Sequence, residues 1–327
     1  MKKKHIAVVM GGYSSEFEIS LNSGKVVCDS LDTQKYYIYP IHILREGWYF
    51  TAKDGTNHEI NKANFSFSNG KETIIPDAIF NTIHGTPGED GYLQAYLNLI
   101  NIPQTSCDYY PAALSFNKRD CLSVLKGFGI KCANSYYVNK GVHFSEEDII
   151  LKVGLPCFVK PNRAGSSFGI SKVNTSEELL PAIEKAFNED SEIIIETAII
   201  GTEVSVGVYN NRSNIVVLPP TEIVSENDYF DYEAKYLGKS QEITPARISE
   251  IETSKVKFLA EEIYRLLNMK GITRSDFIIQ DGVPYFIEIN TNPGLSAESI
   301  VPKQIKETGM TLTKFFDILI KNVITKK

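Results

Sequence analysis

Acidic and amide residues near the end of the chain have the types and the spacing of a metal site. Asp276 stands just before the apolar segment 277–280, Glu288 lies inside the segment 284–289, and Asn290 follows it. Glu288 and Asn290 are two residues apart, so on a strand their side chains point to the same face. Buried carboxylates need a partner or a cation, and carboxylate and amide oxygens suit Mg²⁺ shared with substrate phosphates. We therefore predict a divalent-metal site; the alternative is a hairpin whose polar face is simply solvated.

The turn inside this stretch makes the metal site a testable prediction about strand register. Asp281 and Gly282 are a strong signal for a hairpin. With a plain two-residue loop, Asp276 would lie opposite Ile287, and its side chain would face away from that of Glu288. A shared metal therefore requires an odd-numbered loop or a β-bulge.

Three glycine-rich loops are candidates for ligand binding. Loop 11–16 follows the first predicted strand and opens a helix, where backbone N–H groups favour anions and Glu16 suits a substrate ammonium; a plain tight turn is the alternative. Loop 84–91 by itself indicates only a capped connection before a helix. Loop 160–169 carries a lysine and small residues that can bind phosphates, although it is not a Walker A motif; the alternative is an unliganded hairpin.

Two further segments suit a nucleotide and a lid. Glu196 and Glu203 flank the apolar residues 198–200, which could receive a flat base while the carboxylates bond its amino and hydroxyl groups. Solvated acids at strand ends are the more common alternative. Segment 230–236 mixes aromatic and charged side chains and is interpreted as a lid, or else as ordinary surface.

Length and composition indicate a soluble intracellular protein. The 327 residues suit about two domains or three small lobes, at roughly 150 residues per domain. A net charge of −6 argues against a nucleic-acid partner or an anionic membrane surface. The five cysteines are scattered without a C-x-x-C pair, and the apolar run after the basic start is too short for a signal peptide. We predict a cytoplasmic location without a membrane partner.

The predicted elements divide the chain into three regions of an α/β protein. Residues 1–105 alternate strands and helices, which is typical of a Rossmann-like parallel sheet. Because this region lacks G-x-G-x-x-G, NAD binding and a Rossmann oxidoreductase are not expected. Residues 106–196 are predicted to be a central α+β lobe with the glycine- and serine-rich loop, and residues 197–327 a strand-rich C-terminal lobe with the metal site.

The order of the motifs resembles that of ATP-grasp enzymes, and closely that of the D-alanine–D-alanine ligase family. H-G-x-x-G-E-D-G begins at His84, K-P-x-x-x-G-S-S-x-G at Lys160, and E-I-N-x-N-P-G at Glu288, within a resemblance that runs from Gly11 to Pro302. The resemblance implies a three-lobed ATP-grasp fold with ATP between the second and third lobes. It also implies that two D-alanines are joined through an acyl phosphate, giving ADP, phosphate and a peptidoglycan precursor.

The resemblance assigns roles to individual residues. Nucleotide contacts are expected from Lys118, Lys160, Glu196, Ile199, Glu203, Lys235 and Asn290. Two Mg²⁺ ions, or Mn²⁺ in their place, would be held by Asp276, Glu288 and Asn290. Catalytic roles are expected for Glu16, Ser166 and Tyr236 at the first D-alanine and for Arg274 and Gly294 at the reacting carbonyl. Further substrate contacts are expected from His84, Ser299 and Ile300.

Some departures and alternatives accompany the resemblance. Ala198 stands where relatives often carry an aromatic residue, and Asn292 stands where serine is common, the latter without an expected consequence. Tyr236 fits D-alanine better than D-lactate as the acceptor. A ligase for other amino acids or for D-lactate is one alternative, and a nucleotide-binding protein without catalysis is another. A homodimer is usual in the family.

Overall fold

The N-terminal part of the molecule is built on a mainly parallel sheet. The computed structural model describes residues 2–163, 165, 168–225 and 240–324. The first seven strands are β1 (Lys4–Gly11), β2 (Tyr36–Ile43), β3 (Trp48–Thr51), β4 (Asn57–Glu59), β5 (Phe67–Ser68), β6 (Thr73–Ile74) and β7 (Ala78–Asn81). β1 pairs in parallel with β2 and β7, β3 and β4 add an antiparallel edge, and β5 and β6 form a separate hairpin. The predicted Rossmann-like parallel sheet is confirmed.

Both faces of this sheet are covered, which explains the unbroken apolar run in β1. Val8 belongs to a core shared with α1 (Phe17–Ser30). Its neighbour Val9 belongs to the core on the opposite face, shared with α2 (Tyr92–Leu99). Successive side chains of a strand point to opposite faces, so a strand buried on both faces is apolar at every position.

The central part contains an antiparallel sheet. Its strands are β8 (Ser135–Asn139), β9 (Cys157–Pro161), β10 (Ser171–Val173) and β11 (Glu192–Thr197), in the order β10-β9-β11-β8. Its helices are α3 (Tyr109–Phe116), α4 (Lys118–Gly127), α5 (Glu146–Val153) and α6 (Leu179–Phe187). The buried residues of α6 recur at helical spacing, so one apolar stripe of this helix packs on the sheet.

The C-terminal part contains the largest sheet. Its strands are β12 (Thr202–Asn211), β13 (Asn214–Val217), β14 (Thr221–Ser225), β15 (Ser240–Ile243), β16 (Ile272–Gln280) and β17 (Val283–Asn290). The order is β15-β14-β12-β16-β17, with β13 also paired to β12. Its helices are α7 (Glu250–Leu266), α8 (Ile300–Glu307) and α9 (Leu312–Ile324). A reciprocal capping box between Ser249 and Glu252 begins α7.

The hairpin of β16 and β17 contains the β-bulge that a shared metal requires. Asp281 and Gly282 form a plain two-residue turn with φ of 51° and 71°, as a type I′ turn needs. Pairing stays regular from the turn as far as Phe277. One residue of β17 is then skipped, and Asp276 lies directly opposite Glu288. The bulge thus returns both carboxylates to the same face, and the register prediction is confirmed.

The N-terminal sheet is packed against the C-terminal helix α9. The rings of Phe80 and Phe316 meet edge to face, with centroids 5.3 Å apart. Nearby, the hydroxyl of Tyr36 donates to the buried carboxylate of Asp317 at 2.7 Å. These contacts fix the first and third sheets relative to each other. Among the helices of the described residues, none has the length and apolar character needed to span a membrane.

Candidate functional site

Two cavities meet at Lys118 and Glu288, which line both of them. One has a volume of about 220 Å³ and lies between the N-terminal and C-terminal sheets; its lining includes Glu16, His84, Arg274, Asn290, Gly294, Ser299 and Ile300. The other has a volume of about 110 Å³ and lies between the central and C-terminal sheets; its lining includes Lys160, Glu196, Ile199, Glu203 and Asp276. The fold therefore brings together side chains from all three predicted lobes.

The floor between the cavities is the acidic face of the bulged hairpin. The carboxylate of Asp276 accepts hydrogen bonds from Nε and Nη2 of Arg274 at 2.9 and 2.7 Å. Ser205 also donates to Asp276, and the side-chain amide of Asn290 lies 3.4 Å away. Glu288, opposite Asp276, faces the ammonium of Lys118 at 3.4 Å. Each carboxylate is thus paired with a cationic side chain, and the buried Asp276 needs such a partner.

This donor set fits a hard divalent cation. Two carboxylates and one amide oxygen on one face of the β16–β17 hairpin are oxygen ligands of the kind that Mg²⁺ accepts, with phosphate oxygens and water completing the shell. Within the described residues, no group of three or more histidine, cysteine, aspartate and glutamate side chains is gathered as a metal site. A protein-only cage is therefore absent from that part of the chain, and the donors suit a metal shared with a substrate.

The smaller cavity holds a buried ion pair between neighbouring strands. β9 and β11 are antiparallel neighbours, and this places Nζ of Lys160 3.0 Å from the carboxylate of Glu196. Burial lowers the pKa of Lys160, but the carboxylates of Glu196, Glu288 and Glu203 outweigh it, so the pKa is raised. Lys160 therefore remains a cation and can face phosphates.

The larger cavity is walled by a buried histidine. Burial lowers the pKa of His84, although the carboxylate of Glu16 opposes the shift. Nε2 of His84 lies 3.3 Å from the hydroxyl of Ser23, which accepts the N–H of Leu295 at 3.1 Å. Ser23 of helix α1 therefore links the neutral imidazole of His84 to the loop that precedes α8.

Sequence reasoning missed Glu89, whose carboxylate lines the larger cavity. It accepts hydrogen bonds from the backbone N–H of Gly85 at 2.7 Å and of Asn292 at 3.2 Å. Burial and the nearby charge of Glu16 raise the pKa of Glu89 to about 8. The sequence indicated only a capped connection for the loop that contains this acid, and its partner Asn292 is 203 residues away.

Two glycines make close approaches in the larger cavity. A Cβ on Gly165 would lie 2.2 Å from Oε2 of Glu16, so the central loop touches the N-terminal domain there. A Cβ on Gly294 would lie 2.7 Å from the hydroxyl of Ser299. Ser299 directly precedes α8, and its hydroxyl is bonded to that of Ser296 at 2.8 Å. The N-terminus of α8 thus faces a space that suits a carboxylate.

Three predicted site residues, Ser166, Lys235 and Tyr236, lie outside the described residues, as does the predicted lid segment 230–236. The other predicted residues all line one of the two cavities.

Family models and known proteins match the whole architecture. The model "D-ala D-ala ligase N-terminus" matches residues 5–107, and "D-ala D-ala ligase C-terminus" matches residues 124–321. A D-alanine–D-alanine ligase of Flavobacterium johnsoniae is 58% identical, over 96% of this chain and 97% of its own. The structure of VanG D-Ala:D-Ser ligase from Enterococcus faecalis has a TM-score of 0.87 and 33% identity, and covers 98% of this chain and 99% of its own. That of D-alanine–D-alanine ligase from Bacillus anthracis complexed with ATP has a TM-score of 0.78 and 26% identity, and covers 98% of this chain and 97% of its own.

The fold and the paired cavities define an ATP-dependent ligase with the ATP-grasp fold. Within that class, the chain belongs to the D-alanine–D-alanine ligase family.

Proposed function

We propose that this protein joins two D-alanines into D-alanyl-D-alanine, cleaves ATP to ADP and phosphate, and so supplies a peptidoglycan precursor. The observation that carries the proposal is the meeting of the two cavities at Glu288 and Lys118. A phosphate donor in one cavity and an amino acid in the other would have their reacting ends at this junction. The family of the chain agrees with this assignment.

The smaller cavity is assigned to ATP. Lys118 and Lys160 line this cavity and are proposed to neutralise the phosphate charge, which would otherwise repel an anionic carboxylate. Ile199 gives an apolar wall for adenine, and Glu196 and Glu203 offer acceptors for its amino group and for the ribose hydroxyls. Lys235 is proposed as a further phosphate contact on the family resemblance alone.

Asp276, Glu288 and Asn290 are proposed to hold two Mg²⁺ ions, or Mn²⁺ in their place. When bound, the metal ions supply positive charge to the phosphates and to the attacking carboxylate. The pairing of Arg274 with Asp276 orients this carboxylate beforehand. The proposed metal ligands are thus already oriented on one face of the hairpin.

The reaction proceeds in two displacements. A carboxylate oxygen of the first D-alanine attacks the γ-phosphorus, and the bond to ADP breaks. The free amine of the second D-alanine then attacks the acyl carbon and loses one proton, and the bond from the acyl carbon to oxygen breaks as phosphate leaves with that oxygen. Arg274 and the N–H of Gly294 are proposed to stabilise the tetrahedral oxyanion.

Binding groups for the two amino acids lie in the larger cavity. Glu16 is proposed to pair with the ammonium of the first D-alanine, with Ser166 and Tyr236 beside it. His84 completes the wall behind this ammonium. Ser299 and the N–H of Ile300, at the N-terminus of α8, are proposed to bind the carboxylate of the second D-alanine.

We also propose that the lobes are 1–105, 106–196 and 197–327, which the separate sheets support. A cytoplasmic homodimer is proposed from the family resemblance. A second candidate function is ligation of D-alanine to another acceptor, and the similarity to a D-Ala:D-Ser ligase favours D-serine as that acceptor.

The test is phosphate release from ATP and Mg²⁺ with single substrates and pairs, with each product identified by mass. The panel is D-alanine, L-alanine, D-alanine with D-serine, and D-alanine with D-lactate. Release with D-alanine alone and formation of its dipeptide support the proposal. A mixed product formed in preference to the dipeptide would favour the second candidate. ATP binding without release in any mixture would refute ligase activity.

A further inference from the structure

Asn292 joins the C-terminal lobe to the N-terminal domain. It follows β17 and is buried, with an exposed fraction of 5%. Its side-chain nitrogen donates to the backbone carbonyls of Gly88 at 2.8 Å and Ile83 at 3.2 Å. Its backbone N–H donates to the carboxylate of Glu89 at 3.2 Å. All three bonds cross between lobes.

These three hydrogen bonds of Asn292 to the N-terminal domain form a tether, which lies between two groups of the proposed active site. Asn290 lies two residues before it, on the metal face, and Gly294 lies two residues after it, at the proposed oxyanion donor. The other end of the tether is the loop of His84, because Glu89 also accepts the N–H of Gly85. The loop that carries the oxyanion donor is therefore anchored to the wall of the cavity proposed for the first substrate.

The primary amide is specifically suited to this tether. Its NH₂ group has two donors, and here it has two carbonyl acceptors. A serine hydroxyl has only one donor. With serine at position 292, at least one of these two carbonyls would therefore lose its hydrogen bond to this residue. Asn292 therefore makes one side-chain hydrogen bond to the N-terminal domain more than a serine could donate.

We propose that Asn292 is a positioning residue that holds the Gly294 N–H over the acyl carbon of the first substrate, so that peptide formation stays coupled to ATP cleavage. This inference rests on the proposed ligase function. When the loop is displaced, water instead of the amine attacks the acyl phosphate. D-alanine and phosphate are then regenerated, and the net reaction is hydrolysis of ATP to ADP and phosphate.

The experiment compares Asn292→Ser with the wild type by the ratio of phosphate released to dipeptide formed. We expect dipeptide turnover to fall by about ten-fold, because even a small displacement of a catalytic group lowers the rate by this order. The phosphate-to-dipeptide ratio is expected to rise several-fold. Affinity for a non-hydrolysable ATP analogue is expected to stay at the wild-type value. A purely structural role would lower both products together and leave the ratio near one.

Gln94→Met is the matched control. Gln94 donates to the same carbonyl of Gly88, at 2.5 Å, but from within the N-terminal domain. The control is expected to lower the melting temperature without changing the ratio. Asn292→Gln keeps the NH₂ donors on a longer side chain, and we expect a ratio between those of the wild type and Asn292→Ser.

Three outcomes separate the possibilities. A wild-type ratio and turnover in Asn292→Ser would overturn the positioning role. If Asn292→Ser fails to fold, Asn292→Ala, which also removes both amide donors, replaces it, and a wild-type ratio and turnover in that variant would overturn the role too. If the wild type itself makes no dipeptide from D-alanine, the proposed function fails, and that result is distinct from the other two.

Discussion

Gly165→Ala should damage the binding of the first substrate through Glu16. The added Cβ would lie 2.2 Å from Oε2 of Glu16, so the carboxylate must move by about 1 Å to restore an ordinary contact. The backbone of Gly165 is not left-handed, so alanine itself adds no backbone strain there. A displacement of about 1 Å in a positioned group can lower the rate about 100-fold, or about 2.7 kcal/mol in transition-state stabilisation.

The assay is steady-state phosphate release as a function of D-alanine concentration, with kcat/KM as the reported quantity. Gly127→Ala is the control, because a Cβ there meets no atom within 4 Å. This control should keep the wild-type kcat/KM and gain about 0.5–1 kcal/mol in stability. An unchanged kcat/KM in Gly165→Ala would refute the argument that Glu16 and the central loop act together.

Three more predictions concern buried charges. Lys160→Met should lower the free energy of unfolding, measured in urea, by about 3–5 kcal/mol, because it leaves Glu196 buried without its ion-pair partner. Adding Glu196→Gln to this variant should recover part of the loss. If the two substitutions lower the free energy of unfolding additively, the pairing is contradicted. The raised pKa of Glu89, about 8 against an ordinary 4.5, contributes stability that is complete below 4.5 and lost as the pH rises through 8. Glu89→Gln should therefore lose less stability than the wild type between pH 5 and 8 in thermal melts, and parallel profiles would contradict the shift. Asp317→Ala should cost about 1–3 kcal/mol by removing the bond from Tyr36, with kcat unchanged; a fall in kcat would show that α9 affects the site.

The hairpin of the metal face shows what sequence could predict. Asp281 and Gly282 define the turn locally, and the side-chain period of two then required a bulge if Asp276 and Glu288 were to share a metal. The structure contains this bulge. It could be predicted because the argument needed only the residues near the turn. The prediction of the parallel N-terminal sheet also rested on local sequence, because β1 has its own run of apolar residues.

Contacts between residues far apart in the sequence could not be predicted in the same way. Lys160 and Glu196 were each expected at the nucleotide, but their pairing depends on the register of β9 and β11. Glu89 and Asn292 meet across 203 residues of sequence. Neither periodicity nor a turn signal predicts that two such distant residues are in contact, because the contact depends on how whole strands and sheets pack. The contacts that Asn292 makes with the N-terminal domain are of this kind, and no signal in the sequence indicated them.

The central claim is tested most directly with D-alanine labelled with ¹⁸O in its carboxylate, incubated with ATP and Mg²⁺. An acyl phosphate transfers one carboxylate oxygen to phosphorus before the amine displaces it. We therefore predict D-alanyl-D-alanine together with inorganic phosphate that carries one ¹⁸O for each dipeptide formed. Unlabelled phosphate formed alongside the dipeptide would contradict the mechanism, and labelled substrate returned without dipeptide would contradict the activity.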